Sequence, residues 1–398
     1  MKKILILGAG IYQVPLIKTA KRLGIYTIVS SIYGNYPGFE FADKVYYENT
    51  TDYRKILSIA RREQVDGIVT AGTDVAVITI GKVCDALGLK GLSFEAAEIA
   101  TDKLLMKMQY EKHGVRSAKF RKIFFDDPDY RNIISDLTLP VMFKSVDSSG
   151  SRGIVKVTSP EGFDAARNVV LENTRSDYFI VEEFIEGEEF GAQAFVQEGK
   201  LEFILPHGDY VFKGDTGVPI GHFAPYDLPA ESLADAREQL TSAVRAMNLN
   251  NCAINADFII KDGKTYVLEL GGRSGATCLA ELVSIFYGFD YYEQIIRVAT
   301  GEHVDFDSLI ADEATGVANA SMLLMSDKDG VIVSQEDLNE PDPDIVDVQF
   351  DYKPGDSVHA FRVGPHRIGH VITKGKSLDE AVDVLHKALD NVHITVEG

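Results

Sequence analysis

Apolar residues in the first hundred positions come as short continuous runs separated by stretches with helical spacing. Ile4-Leu5-Ile6-Leu7 stops at Gly8, Leu16, Ile17, Ala20 and Leu23 then recur on one helical face, and Tyr26-Thr27-Ile28-Val29 forms the next run. Continuous runs read as strands buried on both sides, and the intervening periodicity as the helix that connects them. Alternation of the two predicts a doubly wound parallel sheet over residues 1–100. Its first turn, Gly8-Ala9-Gly10, suggests a dinucleotide site, but Gln13 holds the place of the third glycine. The second strand also ends at Ser30-Ser31 where an acid for a ribose hydroxyl is expected. Both departures argue against nicotinamide binding.

Beyond residue 100 the pattern changes. A helix starting near Thr101 carries Leu104, Leu105 and Met108 on its apolar face and ends at Gly114. Its Met106-Lys107-Met108 imitates a biotin attachment sequence, which requires an exposed hairpin and not a packed helix. Leu139-Pro140-Val141-Met142-Phe143-Lys144 predicts a strand ending in a lysine, the loop Asp147 to Gly153 follows, and Ile154 to Val157 predicts the next strand. Phe179-Ile180-Val181 runs into the acids Glu182 and Glu183. His207 to His222 reads as an irregular excursion rich in glycine and polar residues, either a binding loop or plain surface. Two apolar strands, one bearing Asp257 and the other Val267-Leu268-Glu269-Leu270, are joined by the turn Lys261-Asp262-Gly263-Lys264. A break at Pro341-Asp342-Pro343-Asp344 and a final helix opened by Ser377, with Ala381, Val382, Leu385 and Leu389 inward, complete the chain.

Chemistry concentrates on that hairpin. Acids seldom sit within apolar strands without a partner, and Asp257 and Glu269 on neighbouring strands can point the same way and hold a hard divalent cation. Arg273, just past the second acid, can clamp an anion beside it. Lys144 offers a compact positive charge, and the small residues Ser148, Ser149, Gly150, Ser151 and Gly153 let backbone N–H groups approach phosphate oxygens. A flexible hairpin turn accounts for that loop better when it is taken alone.

Taken in order, these pieces resemble the ATP-grasp superfamily, and more closely its carboxylate–amine, amino-acid ligase type, from Asp102-Lys103 to about Thr300. The resemblance implies an ATP-grasp fold behind a biotin-carboxylase-like N-terminal domain, with a C-terminal α+β lobe. Its expected divisions are 1–100, a small lid subdomain with its connecting helix at 101–185, a large subdomain with the metal site at 186–300, and an extension at 301–398. It implies that Lys103 and Lys144 contact ATP phosphates and that the loop from Ser148 to Gly153 closes over them. Glu182, Glu183 and Ile185 are expected at adenine, largely through main-chain atoms, and Glu189 at the ribose. Asp257 and Glu269 are expected to hold Mg2+, for which Mn2+ could substitute. Arg273 is expected to stabilise the transferring phosphoryl group or bind the receiving carboxylate. Ser274, Gly275, Gly8 and Gly10 are the expected substrate contacts. Two departures stand out: Gly271 replaces the asparagine usual two places after the metal glutamate, and Asp257 replaces the more frequent glutamate. The implied reaction is activation of a small carboxylate as an acyl phosphate and its ligation to an amine. A phosphotransferase, or a non-catalytic ATP-binding protein of the synapsin kind, would use the same nucleotide site.

Composition narrows the partners. A formal net charge of −20 repels nucleic acid and anionic membranes. No apolar run is long enough to span a bilayer, and Met1-Lys2-Lys3 leads straight into the first strand, which speaks against a secretory signal. Cys84, Cys252 and Cys278 are scattered and odd in number, as expected of reduced thiols in a cytoplasmic enzyme. Cys278, close to Arg273 in sequence, is the one with any prospect of a functional thiol. The nine histidines show no metal-ligand spacing. Small-molecule substrates and, for assembly, a homodimer complete the expectation.

Overall fold

The computed structural model of the 398-residue chain describes every residue except 149–151, 214–216 and 311–315. The chain divides into two compact units, one built from Met1–Thr73, Leu205–Asp227 and Ser274–Gly398, the other from Asp74–Ile204 and Leu228–Arg273.

The first unit opens with the expected parallel sheet. Strands Lys3–Leu7, Tyr26–Ser31, Lys44–Tyr47 and Gly67–Val69 lie in the order third, second, first, fourth, and every pair is parallel. Ile4 to Leu7 are wholly inaccessible, as a strand covered on both faces requires. Helix Val14–Arg22 buries Leu16, Ile17 and Ala20 as their spacing predicts. Gln13 sits inside the glycine turn. Gly8 adopts a φ of 100°, open to glycine and costly for other residues, and its N–H bonds Ser30 O. Gln13 Oε1 accepts the Gly10 N–H at 2.9 Å while Nε2 donates to Ala71 O at 2.6 Å. The glutamine thus fills the turn from inside and takes up an amide that a phosphate would otherwise need.

The same unit carries an antiparallel sheet in the order Lys200–Val211, Pro219–Ala224, Ala318–Leu324, Gly369–Gly375, Ile345–Phe350. Helix Leu378–Asp390, capped by Ser377, packs Leu385 and Ala388 with Ala320, Leu324 and Val371 of that sheet. The segment His207 to His222 departs from expectation, because most of it belongs to two paired strands. Residues 214–216 lie outside the described residues, and His207 and His222, on the two strands, are each 3% exposed.

In the second unit, Asp102 caps helix Lys103–His113, accepting from the N–H groups of Leu104 and Leu105, and Gly114 closes it in the left-handed conformation. Met108 does not join the apolar face; it is 51% exposed, and Lys103, Leu104, Lys107 and Tyr110 face inward instead. The inward face is partly cationic, which blurs the hydrophobic periodicity on which the expectation rested. A four-stranded sheet runs Phe120–Phe124, Tyr178–Glu183, Val141–Lys144, Ile154–Val157 over a core of Phe143, Phe179, Val181 and Val170. Strands Lys264–Gly271, Cys252–Lys261 and Glu188–Gln197 lie side by side in that order, and helix Ala230–Ala246 packs against the first two. Among the described residues no helix is long and apolar enough to cross a membrane.

Candidate active site

The turn Lys261-Asp262-Gly263-Lys264 closes a two-residue hairpin, with Asp262 at φ 52° and Gly263 at φ 71°. Positive φ at both central positions matches the right-handed twist of the flanking strands, and Asp-Gly supplies it at low cost. The register then sets Asp257 directly opposite Glu269, so both carboxylates share one face; a bulge follows, pairing Phe258 with Val267. Asp257 is exposed, and the Glu269 side chain is 40% exposed. Two hard oxygen donors side by side and open to solvent suit a magnesium ion.

Positive groups come from the helix and the small sheet. Lys103 Nζ lies 3.2 Å from Glu269 Oε1 and donates to Ser148 O at 2.8 Å. One turn further, Lys107 lies 2.9 Å from Glu182 Oε2, and Lys144 pairs with the other oxygen of the same carboxylate. Burial opposes ionisation of Glu182, yet Lys107 and Lys144 outweigh it and bring its pKa down to about 2. Burial is the largest influence on Lys107 and lowers its pKa, while for Lys144 the attraction of Glu182 prevails over burial and raises it. Two ammonium groups against one carboxylate leave one surplus positive charge in a dry setting. Lys107 Nζ, moreover, makes no aligned hydrogen bond with any described residue. A buried ammonium paired with Glu182 but next to a like-charged lysine can still attract a further anion.

Arg273 is held from behind. Its Nε and Nη2 donate to the two oxygens of Asp74 at 2.8 and 2.9 Å, a bidentate pair that fixes the guanidinium plane. Asp257 and Glu269 lie within electrostatic reach of it.

The remaining expected residues are spread more widely. Glu189 is exposed on strand Glu188–Gln197, opposite Ile259, and contributes to the field at Lys144. Ile185 is buried with Ala118 and Ile259, flanked by Tyr266 and Leu268, an apolar wall at the end of the small sheet. Glu183 accepts the Thr138 N–H at 2.9 Å, so its side chain closes a turn. Ser148 Oγ donates to Arg152 O, and Gly153 holds φ 66° with its carbonyl bonded to Ser145 N; Ser149, Gly150 and Ser151 lie outside the described residues. Ser274, Gly275, Gly8 and Gly10 belong to the other compact unit. There, Ser274 O accepts the Gly72 N–H, and the Gly8 and Gly10 amides are engaged as described above.

Sequence reasoning missed Asp74, Lys107 and Tyr110, the last buried within electrostatic reach of Glu269 and Asp257. Lys103, Lys107 and Tyr110 fall at i, i+4 and i+7 on one helix, a spacing that could have flagged them. Nothing near Asp74 announces it. A further set of pairs lies in the first unit: Arg367 on Asp351 at 2.8 Å, Tyr292 on Glu281, and His370 Nε2 at 2.9 Å from Asp347. Burial resists the charge on His370, but Cys278 and Asp347 raise its pKa to about 10.

Comparison with known proteins identifies the family. Residues 137–281 fit the model of the ATP-grasp domain, and residues 322–397 that of the L-amino acid ligase C-terminal domain 2. Formate-dependent phosphoribosylglycinamide formyltransferase of Methanocaldococcus jannaschii is 32% identical over 294 residues, covering 71% of this chain and 72% of that protein. The crystal structure of phosphoribosylglycinamide synthetase from Anaerococcus prevotii superposes with a TM-score of 0.85 at 33% identity over the full length of both chains. Alanine–anticapsin ligase of Bacillus subtilis is 24% identical across 71% of this chain, which spans 66% of that relative's length. The chain belongs to the ATP-grasp family of carboxylate–amine ligases, ATP-dependent enzymes that form C–N bonds.

Proposed function

We propose that the protein activates a small carboxylic acid, of amino-acid type, as an acyl phosphate with ATP and joins it to an amine, releasing ADP and phosphate. The observation that carries this reading is the pair Asp257 and Glu269, directly opposite each other, with Lys103 at one carboxylate and the Asp74-held Arg273 close by. A carboxylate and a triphosphate repel, so the reaction needs positive charge placed before the two meet. Magnesium on Asp257 and Glu269 would supply Lewis-acid neutralisation of the phosphate oxygens. Lys103, Lys107 and Lys144 contribute the rest of the positive field, with the surplus charge around Glu182 aimed at phosphate. Ile185, Tyr266 and Leu268 offer an apolar wall for the purine, and Glu189 an acceptor for ribose hydroxyls. Arg273, pre-oriented by Asp74, presents its guanidinium to the acceptor carboxylate or the moving phosphoryl group. No protein nucleophile is required, since the amine attacks the acyl phosphate and phosphate leaves.

Gly271 in place of asparagine leaves the ion fewer protein ligands, which favours a site completed by water and phosphate oxygens. The expected setting is the cytoplasm, where ATP and free amino acids are plentiful. Product analysis tests the proposal: a panel of amino acids and other small acids, paired with amines, should yield ADP and inorganic phosphate in equal amounts with one amide. Formation of ADP together with a stable phosphorylated acceptor would replace the ligase with a phosphotransferase.

A further inference from the structure

The first unit contains a second place where a strand pair gathers metal-binding side chains, and its chemistry differs from that of the carboxylate pair. His207 and Asp209 are two apart on strand Lys200–Val211, so they share a face, and the register places His222 of strand Pro219–Ala224 directly opposite Asp209. Asp209 Oδ1 lies 2.9 Å from His207 Nδ1 and 2.7 Å from His222 Nδ1. All three ligand atoms fall within 4.8 Å of one another. Both imidazoles are 3% exposed, whereas the Asp209 side chain is 31% exposed and opens the group to solvent. We propose that His207, Asp209 and His222 form a binding site for a divalent transition-metal ion of the zinc class, separate from the magnesium site.

Two imidazole nitrogens and one carboxylate are the donor set that zinc and its neighbours accept while leaving a coordination position open, and one that magnesium avoids. A tetrahedral ion with bonds of about 2.0 Å separates its ligands by roughly 3.3 Å. The observed spacings therefore need only a few tenths of an ångström of expansion, which rotamer adjustments on adjacent strands can provide. On entry, the ion takes the place that hydrogen between each Nδ1 and the shared Asp209 oxygen would occupy. With two backbone strands fixing all three residues, little further ordering is needed. His207 Nε2 has no hydrogen-bond partner among the described residues. Metal-bound histidines are ordinarily steadied by such a partner, so the ion here exchanges with solvent and is not a permanent structural fixture.

The test uses the full chain, stripped with a chelator and titrated with Zn2+ by calorimetry and with Co2+ by visible absorption, in the absence of nucleotide. A single ion should bind, with Co2+ bands of a low-coordinate nitrogen–oxygen site. Asp209→Asn, nearly isosteric, and His222→Gln should each abolish the bands while circular dichroism stays native, and Glu269→Gln should retain them. No Zn2+ binding, binding that survives both Asp209→Asn and His222→Gln, or bands lost with Glu269→Gln would each overturn the assignment.

Discussion

Two charge clusters in the second unit lie on neighbouring elements and obey opposite rules. Asp257 and Glu269 set like charges face to face in partial contact with solvent, whereas Glu182 sits 2% exposed between Lys107 and Lys144. Like charges directly opposite on paired strands repel, Lys103 stands at one of the two acids, and on the proposed reading a bound cation completes the pair. The buried trio already contains its counter-charge, and removing the acid would strand two ammonium groups in a medium that cannot solvate them. On the proposed reading, one cluster serves a ligand, and the other supports the fold and lends a surplus positive charge to the site. The two should therefore respond to mutation in opposite ways.

The largest effect is expected at Glu182. Glu182→Leu should lower unfolding free energy by about 3–5 kcal/mol, read from denaturant titration, because a buried ion pair broken on one side costs far more than the pair contributes. Its pH dependence follows in sign. The folded pKa, about 2, lies below the ordinary 4.5, so the stabilisation is complete above pH 4.5 and is lost as pH falls towards 2. A Glu182→Gln protein should show a flatter stability profile across that window, and an unchanged profile would remove the trio from the account.

Glu269→Gln should do the reverse. Turnover should drop by roughly a thousandfold while the melting temperature changes little, since relief of the like-charge opposition offsets loss of the part-exposed Lys103 ion pair. A clear fall in melting temperature would show the carboxylate to be structural. Next in size, Arg273→Lys should cost on the order of a hundredfold in kcat/KM, because a lysine cannot reproduce the forked contact with Asp74. Asp74→Asn should cost about tenfold and act on kcat more than on KM, as a positioning residue would. The smallest effect belongs to Glu189→Ala, which should weaken nucleotide binding by about 1 kcal/mol with kcat preserved, as lost uniform binding predicts. Calorimetry with a non-hydrolysable ATP analogue measures it.

The same contrast explains what could be read from the chain itself. Asp257 and Glu269 were legible because a hairpin with an Asp-Gly turn fixes register locally, and an acid in an apolar strand is conspicuous. Strand Lys3–Leu7, helix Val14–Arg22 and the Ser377 cap were legible for similar local reasons. Lys107 was not, because its pairing with Glu182 joins residues 75 apart in sequence, and Met108 was counted on an apolar face that it does not join. Asp74 and Arg273 meet across an even longer span. His207 and His222 looked like loop residues since their pairing depends on a shifted register after Tyr210, which no turn residue reports.

The most direct measurement of the central claim is trapping of the activated acid. With the amine replaced by hydroxylamine, enzyme, Mg-ATP and the preferred acid should give a hydroxamate in amounts matching ADP, and Glu269→Gln should reduce both together. ADP release without hydroxamate from any acid in a broad panel, or hydroxamate yield unaffected by Glu269→Gln, would contradict the assignment of this carboxylate pair to acyl phosphate formation.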